Sequence, residues 1–343
     1  MSPARSQGRS TAEGLRKMQK WFRKSLICSS ASVNWVFQEF ETQRYLTGIL
    51  EDHGFEIELG VARNAKCLDW GPWSNGSGSP VIALGSGVDG IPQSNQKPGV
   101  AYRDPILSMA PGHGEGHKIG AGCKYCGALN VKELMEREDI DGTLMIWPGV
   151  AEEQLGSKAF FVRDGVFDGV DVNLFSHVSS NFSVTWGHTS GNALVSAQFR
   201  FTGETAHSAG SPWGGKSALG RSHASRSGLG VQERKICVLR KRSHYIIVEG
   251  GDQPNVVPQT ATIWFYFREV DYPRVVEMYD AAKLMARGAA MMTGTEIDTI
   301  MTVGSAWNRH FSKPVAEVTQ TNIERSGFQN GPRQICLSER TPA

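Results

Sequence analysis

Apolar residues recur at helical spacing between residues 36 and 53, where Phe37, Phe40, Leu46, Ile49 and Leu50 share a face and Gly54 supplies a stop. Residues 13–27 carry similar patterning. Residues 55–61 read as a strand, and 80–84 (PVIAL) as a short apolar strand running into a Gly-rich turn. Residues 121–138 predict a helix, followed by an Asp141-Gly142 turn. The runs 143–150 and 171–177 read as buried-type strands. Strands alternating with helices predict a layered α/β domain over residues 1–190.

The pattern changes after Gly191. Residues 193–202 alternate as a half-exposed strand, and 243–250 and 260–270 are two further strands. Residues 272–292 form a Met/Ala-rich helix with Pro273 in its first turn, and 296–303 is a last strand. Strand, helix, two strands, helix, strand is the order of a ferredoxin-like βαββαβ unit over residues 191–304. Because 305–328 again looks helical and polar, the unit reads as an insert, with residues 305–343 returning to the first domain.

Composition narrows the class. The 343 residues are 40% hydrophobic and 20% charged, with a net charge of +2. These values fit a soluble globular chain and give no strong pull toward nucleic acid or a membrane. Six scattered cysteines do not make a disulfide framework and suggest a reducing, cytoplasmic setting. The Ser/Arg-rich start has no apolar core segment, so no secretory signal is expected, and no apolar run reaches the length of a membrane span.

The polar residues cluster around the strand ends. Glu152 and Glu153 follow the strand at 143–150, and alternation along an extended chain would aim adjacent side chains at separate tasks. Upstream lies 111–117 (PGHGEGH), where an extended backbone would point Glu115 and His117 the same way. His177 ends another apolar strand, Asp89 ends a third, and His207 lies in a small-residue turn before Pro212. Carboxylates and imidazoles on Gly-rich turns are the ligand types of hydrolytic metal sites. Each fragment has an ordinary alternative: a solvent turn, a surface helix start, a hydrogen-bonded core histidine or an Asp-Gly turn.

Taken in order, DGIP, GHGEGH, strand-EE, strand-HV, AHSAG and GGDQPNVVP resemble the aminoacylase and zinc-carboxypeptidase superfamily of amidohydrolases (metallopeptidase clan MH), in particular its aminobenzoyl-glutamate utilisation protein B-like branch. The resemblance covers residues 36–63, 79–219 and 243–328. It implies a zinc-peptidase-like catalytic domain with an inserted ferredoxin-like lid that dimerises. It also implies two Zn2+ or Mn2+ ions in each protomer, and hydrolysis of an amide bond in an N-acyl amino acid or dipeptide-like substrate. By motif, Glu152 is the general base, and Glu153, His177 and His117 are metal ligands. Glu115 stands where this branch has a cysteine and is kept as a ligand. His207 is a lid residue that stabilises the oxyanion in the partner's site. Asn255 contacts substrate, and Asp89 orients a ligand from behind.

Three stretches depart from the family pattern: 64–75, 220–242, and the residues after 327, where the family continues with the rest of the catalytic sheet and a final ligand histidine. The expectation is a catalytic domain with its C-terminal part missing and local reading-frame errors. The alternative function that follows is a catalytically impaired relative that only binds or dimerises. The basic run 220–242 has no interleaved aromatics to support nucleic-acid binding, and Cys123-x-x-Cys126 reads as helix packing rather than a redox pair.

Overall fold

The computed structural model describes residues 39–61, 73–155, 157–179, 183–188, 192–225, 227 and 241–326. The helix read at 13–27, much of the departing stretch 64–75, most of 220–242 and all of 329–343 lie outside them. Helix α1 (Phe40–Asp52) buries Leu46, Ile49 and Leu50, and leaves Phe40 exposed.

The first sheet has the order β1-β2-β4-β3-β5, from β1 (Glu56–Ile57), β2 (Trp73–Ser77), β3 (Val81–Gly87), β4 (Gly142–Gly149) and β5 (Val172–Phe175). Strands β3, β4 and β5 are parallel, and β2 runs antiparallel to β4. Strand β4 buries both faces, as a central strand in a layered sheet does. Leu144 and Ile146 meet α1 and helix α2 (His117–Glu138), while Met145 and Trp147 pack with Phe161 of α3 (Ser157–Arg163) on the other side.

Several boundaries differ from the expected ones. β1 spans only two residues of the run 55–61. β3 runs three residues past the apolar run, through Gly85–Gly87, because its parallel pairing with β4 continues there. Helix α2 begins at His117, four residues earlier than its apolar pattern. Polar β2 is a strand despite its Ser, Asn and Gly, since its backbone pairs with β4 from Trp73 opposite Ile146 to Ser77 opposite Gly142.

The second unit contains β7 (Ala193–Thr202), a helix α4 over residues 218–225, β8 (Arg242–Glu249), β9 (Thr260–Glu269), α5 (Tyr272–Thr293) and β10 (Glu296–Ala306). Its antiparallel sheet has the order β10-β7-β9-β8, and the chain order is the expected β-α-β-β-α-β. Strand alternation sends Ile263, Phe265 and Phe267 of β9, with Phe199 and Phe201 of β7, toward the buried alanines of α5. Trp264, Tyr266 and Arg268 occupy the opposite face. Between the two sheets the chain passes through β6 (Gly187–His188) on the way out and β11 (His310–Phe311) on the way back, and these pair antiparallel. Helix α6 (Lys313–Ser326) follows. Among the described residues, no helix is long and apolar enough to cross a membrane.

Candidate metal centre

The C-terminal ends of β3, β4 and β5 and the N-terminus of α2 converge, which is where an open α/β sheet places its ligand site. Asp89 follows β3, the turn 150–155 follows β4, His177 follows β5, and His117 opens α2. His117 is buried against Gly87 of β3. A Cβ at Gly87 would sit 2.7 Å from the imidazole, so the ring occupies space that only glycine leaves.

Ligand atoms of Glu115, His117 and His177 lie within 4.8 Å of one another, and so do those of His117, Glu152 and Glu153. His117 Nδ1 faces Asp89, 3.1 Å from its main-chain oxygen and 3.2 Å from its carboxylate. The other nitrogen, Nε2, points toward Glu152 Oε2 at 3.7 Å. His177 Nε2 is 3.8 Å from Glu115 Oε1, while its Nδ1 is 2.8 Å from the Val178 carbonyl. The two imidazoles meet edge to face with centroids 5.5 Å apart.

Two expectations about local backbone are corrected here. Glu152 and Glu153 do not continue an extended strand. Strand β4 ends at Gly149, and Glu152–Gln154 forms a single 3-10 turn between Ala151 and Leu155, both left-handed with φ of 50° and 60°. Strand alternation therefore does not separate the two carboxylates, and both reach the cluster. Likewise Glu115 lies in a turn and His117 in a helix, so an extended backbone is not what brings these two together.

The electrostatics distinguish the carboxylates. Burial alone would raise the Glu152 pKa, but the charge and hydrogen bond of Lys158, with Nζ 2.6 Å from Oε1, hold it below the usual carboxylate value, helped by His117 and His177. Glu153 is pushed well above that value, first by burial and then by the neighbouring Glu115 and Asp89. Burial by itself would lower the His117 pKa. The Asp89 side chain and main chain, then Glu152, more than reverse this and raise it to about 9. His113 is lowered to about 4, by burial and then by the charges of Lys118 and His117.

Two buried atoms in the cluster, His117 Nε2 and Glu153 Oε1, lack a hydrogen-bond partner among the described residues. Buried polar atoms normally have partners. Orphaned nitrogen and oxygen atoms facing the same small space fit a divalent cation with mixed imidazole–carboxylate ligation. Asp89 lies behind His117 and also accepts from the Glu153 amide at 3.0 Å.

His207 and Asn255 are not part of this cluster. They lie together on exposed loops of the second unit, where His207 bridges Val256 and the Ser208 amide donates to the Asn255 carbonyl at 2.9 Å. The His207 Nδ1 accepts from the amides of Ala209 and Gly210 at 3.2 and 3.1 Å. Lys158, His113 and Tyr266, whose hydroxyl donates to the Glu153 carbonyl at 2.9 Å, were not legible as site residues. Only the GHGEGH run hinted at His113, and the other two are brought in by tertiary folding.

No family model matches the chain. It is 32% identical over 265 residues to the B component of the p-aminobenzoyl-glutamate hydrolase of Escherichia coli, covering 76% of this chain and 53% of that protein. It is 24% identical to the mouse Xaa-Arg dipeptidase over 64% of this chain and 51% of that one. The chain thus spans about half the length of the curated relatives it matches. Its fold is similar to that of an aminobenzoyl-glutamate utilization protein from Klebsiella pneumoniae, with a TM-score of 0.68, 17% identity, and coverage of 92% of this chain and 83% of that one. It is also similar to a Bacillus subtilis dinuclear metal-binding peptidase of the M20 family, with a TM-score of 0.54, 17% identity, and coverage of 90% and 81%.

Proposed function

We propose that this chain, which resembles a component of p-aminobenzoyl-glutamate hydrolase and has the fold of M20 peptidases, is a metal-dependent amidohydrolase. It splits the amide bond of an N-acyl amino acid or dipeptide-like substrate of the aminobenzoyl-glutamate type. The observation that carries this reading is the convergence of Glu115, His117, Glu153 and His177 beside Glu152, with His117 Nε2 and Glu153 Oε1 buried and without a hydrogen-bond partner among the described residues. Those four residues would hold Zn2+ or Mn2+. A bound divalent ion would polarise the scissile carbonyl and make water a competent nucleophile near neutral pH.

The chain's own groups supply the rest. Glu152, kept ionised by Lys158, takes the proton of the attacking water and returns it to the leaving amine. Glu153, whose buried Oε1 has no hydrogen-bond partner among the described residues, suits a ligand rather than a proton carrier. Asp89 fixes the His117 ring so that Nε2 faces the centre. In a homodimer formed through the second unit, treated as an inserted lid over residues 191–304, His207 serves the partner's site. Its Nδ1 is occupied as an acceptor, so in the neutral ring the proton sits on Nε2, free to donate to an oxyanion. Asn255, on the adjoining loop, contacts substrate.

The test is metal content together with hydrolysis of p-aminobenzoyl-glutamate and a panel of N-acyl amino acids. Glu152→Gln is expected to retain metal and lose about 10²- to 10⁴-fold in turnover, the usual contribution of a general base. Metal bound without turnover in the unsubstituted protein leaves the impaired, binding-only alternative. No metal bound overturns the reading.

A further inference from the structure

We propose that Tyr266 is a positioning residue that clamps the turn carrying Glu152 and Glu153, tying the metal centre to the second unit. The proposal rests on the metal-centre reading above. Ala151 and Leu155, on either side of the turn, both have left-handed backbones. Residues with a Cβ hold that conformation only where their surroundings fix it.

The restraints come from both units. In the first, the Ala151 amide donates to Glu39 Oε1 at 3.0 Å and the Glu153 amide to Asp89 Oδ2 at 3.0 Å. In the second, the Tyr266 hydroxyl donates to the Glu153 carbonyl at 2.9 Å. Gly304 of β10 lies so close beneath the turn that a Cβ there would come within 2.5 Å of the Leu155 carbonyl. Glu153 is therefore gripped at both of its main-chain polar groups, with N–H held by the first unit and C=O by the second. A shift of one unit against the other acts directly on the backbone of a ligand.

The tyrosine is built to hold still. Alternation along β9 turns Trp264, Tyr266 and Arg268 to the face opposite the α5 core. Trp264 packs edge to face with the tyrosine ring at 5.7 Å, and the Arg268 guanidinium lies 5.5 Å from its centroid. The hydroxyl consequently sits at a fixed height above the turn. Phenylalanine at this position keeps the ring packing and removes the hydroxyl, with its bond to the Glu153 carbonyl and its contact with the Ser196 hydroxyl.

The experiment titrates metal-free protein with Zn2+ against a chromophoric chelator and measures amide hydrogen exchange over residues 151–155. Tyr266→Phe is expected to bind Zn2+ about threefold to tenfold more weakly, the equivalent of one hydrogen bond, and to exchange faster at those amides. Tyr279→Phe removes a hydroxyl that pairs with Thr302 Oγ1 elsewhere in the same unit, and is expected to match the unsubstituted protein in both measurements. Unaltered Zn2+ affinity in Tyr266→Phe overturns the proposal. If the unsubstituted protein binds no Zn2+, the metal-centre reading fails instead, and exchange decides the clamp: equal rates with and without the hydroxyl overturn it.

Discussion

Protonation of His117 would compete with a cation at this centre. Its pKa is raised from 6.5 to about 9, so the metal-free fold is favoured by protonation. That contribution is fully present below 6.5 and is lost as pH rises through 9. The raised Glu153 has the same sign, but its contribution is fully present only below 4.5 and is lost as pH rises through about 8, so it overlaps the His117 interval only in part. The metal-free protein is thus expected to lose thermal stability between pH 6.5 and 9. Ligation needs both groups deprotonated, so metal binding releases protons and tightens over the same interval. Melting temperature against pH, with and without Zn2+, checks this. A metal-free profile that is flat or rises toward high pH contradicts it. The ordered motifs named Glu115, His117, Glu152, Glu153 and His177, which the fold brings together, but the shifts that set Glu152 apart from Glu153 were not legible. Glu152 and Glu153 differ because Lys158 lies beside one and Glu115 beside the other, and both neighbours arrive through folding.

Elements with one strong period were legible nearly to the residue. Helix α5 is the clearest case: Asp271 caps it by accepting from the Arg274 amide at 3.0 Å, with Pro273 in the first turn. Asp271→Ala is expected to destabilise the protein by about 1 kcal/mol, seen as a lower denaturation midpoint with an unchanged slope. A change in slope would point to altered cooperativity instead. Elements held by neighbours rather than by their own pattern were misjudged. β2 has almost no apolar signal and exists because β4 offers an unpaired edge. The first turn of α2 carries no apolar repeat and is set by His117 filling the space above Gly87. The 3-10 turn at Glu152 looks in sequence like the end of a strand, since nothing local announces that Ala151 and Leu155 will adopt left-handed backbones.

At the scale of the whole molecule, β8 is an edge strand whose Ile246, Ile247 and Val248 are 57%, 43% and 51% exposed. Exposed apolar edges are sites of strand pairing with another chain, which supports the proposed homodimer. Introducing charge there with Ile246→Lys and Val248→Lys is expected to shift the protein from dimer to monomer in light scattering. If His207 serves the partner's site, the same change lowers turnover while metal content stays constant. A dimer that survives both lysines places the interface elsewhere.

The second unit enters and leaves the fold at adjacent strands: Leu194 near the start of β7 is paired with Ala306 at the end of β10. Its two ends are therefore neighbours in space, and β6 and β11 zip the flanking chain together just outside them. In protein-engineering terms it is a cassette. Because Leu194 and Ala306 are already side by side, replacing residues 193–306 by a short turn, or by a unit with similarly placed ends, is expected to leave the pairing of the first sheet in place. What such a graft would lack is a hydroxyl above the Glu153 carbonyl, so a replacement cassette would need its own donor there to inherit a formed metal centre.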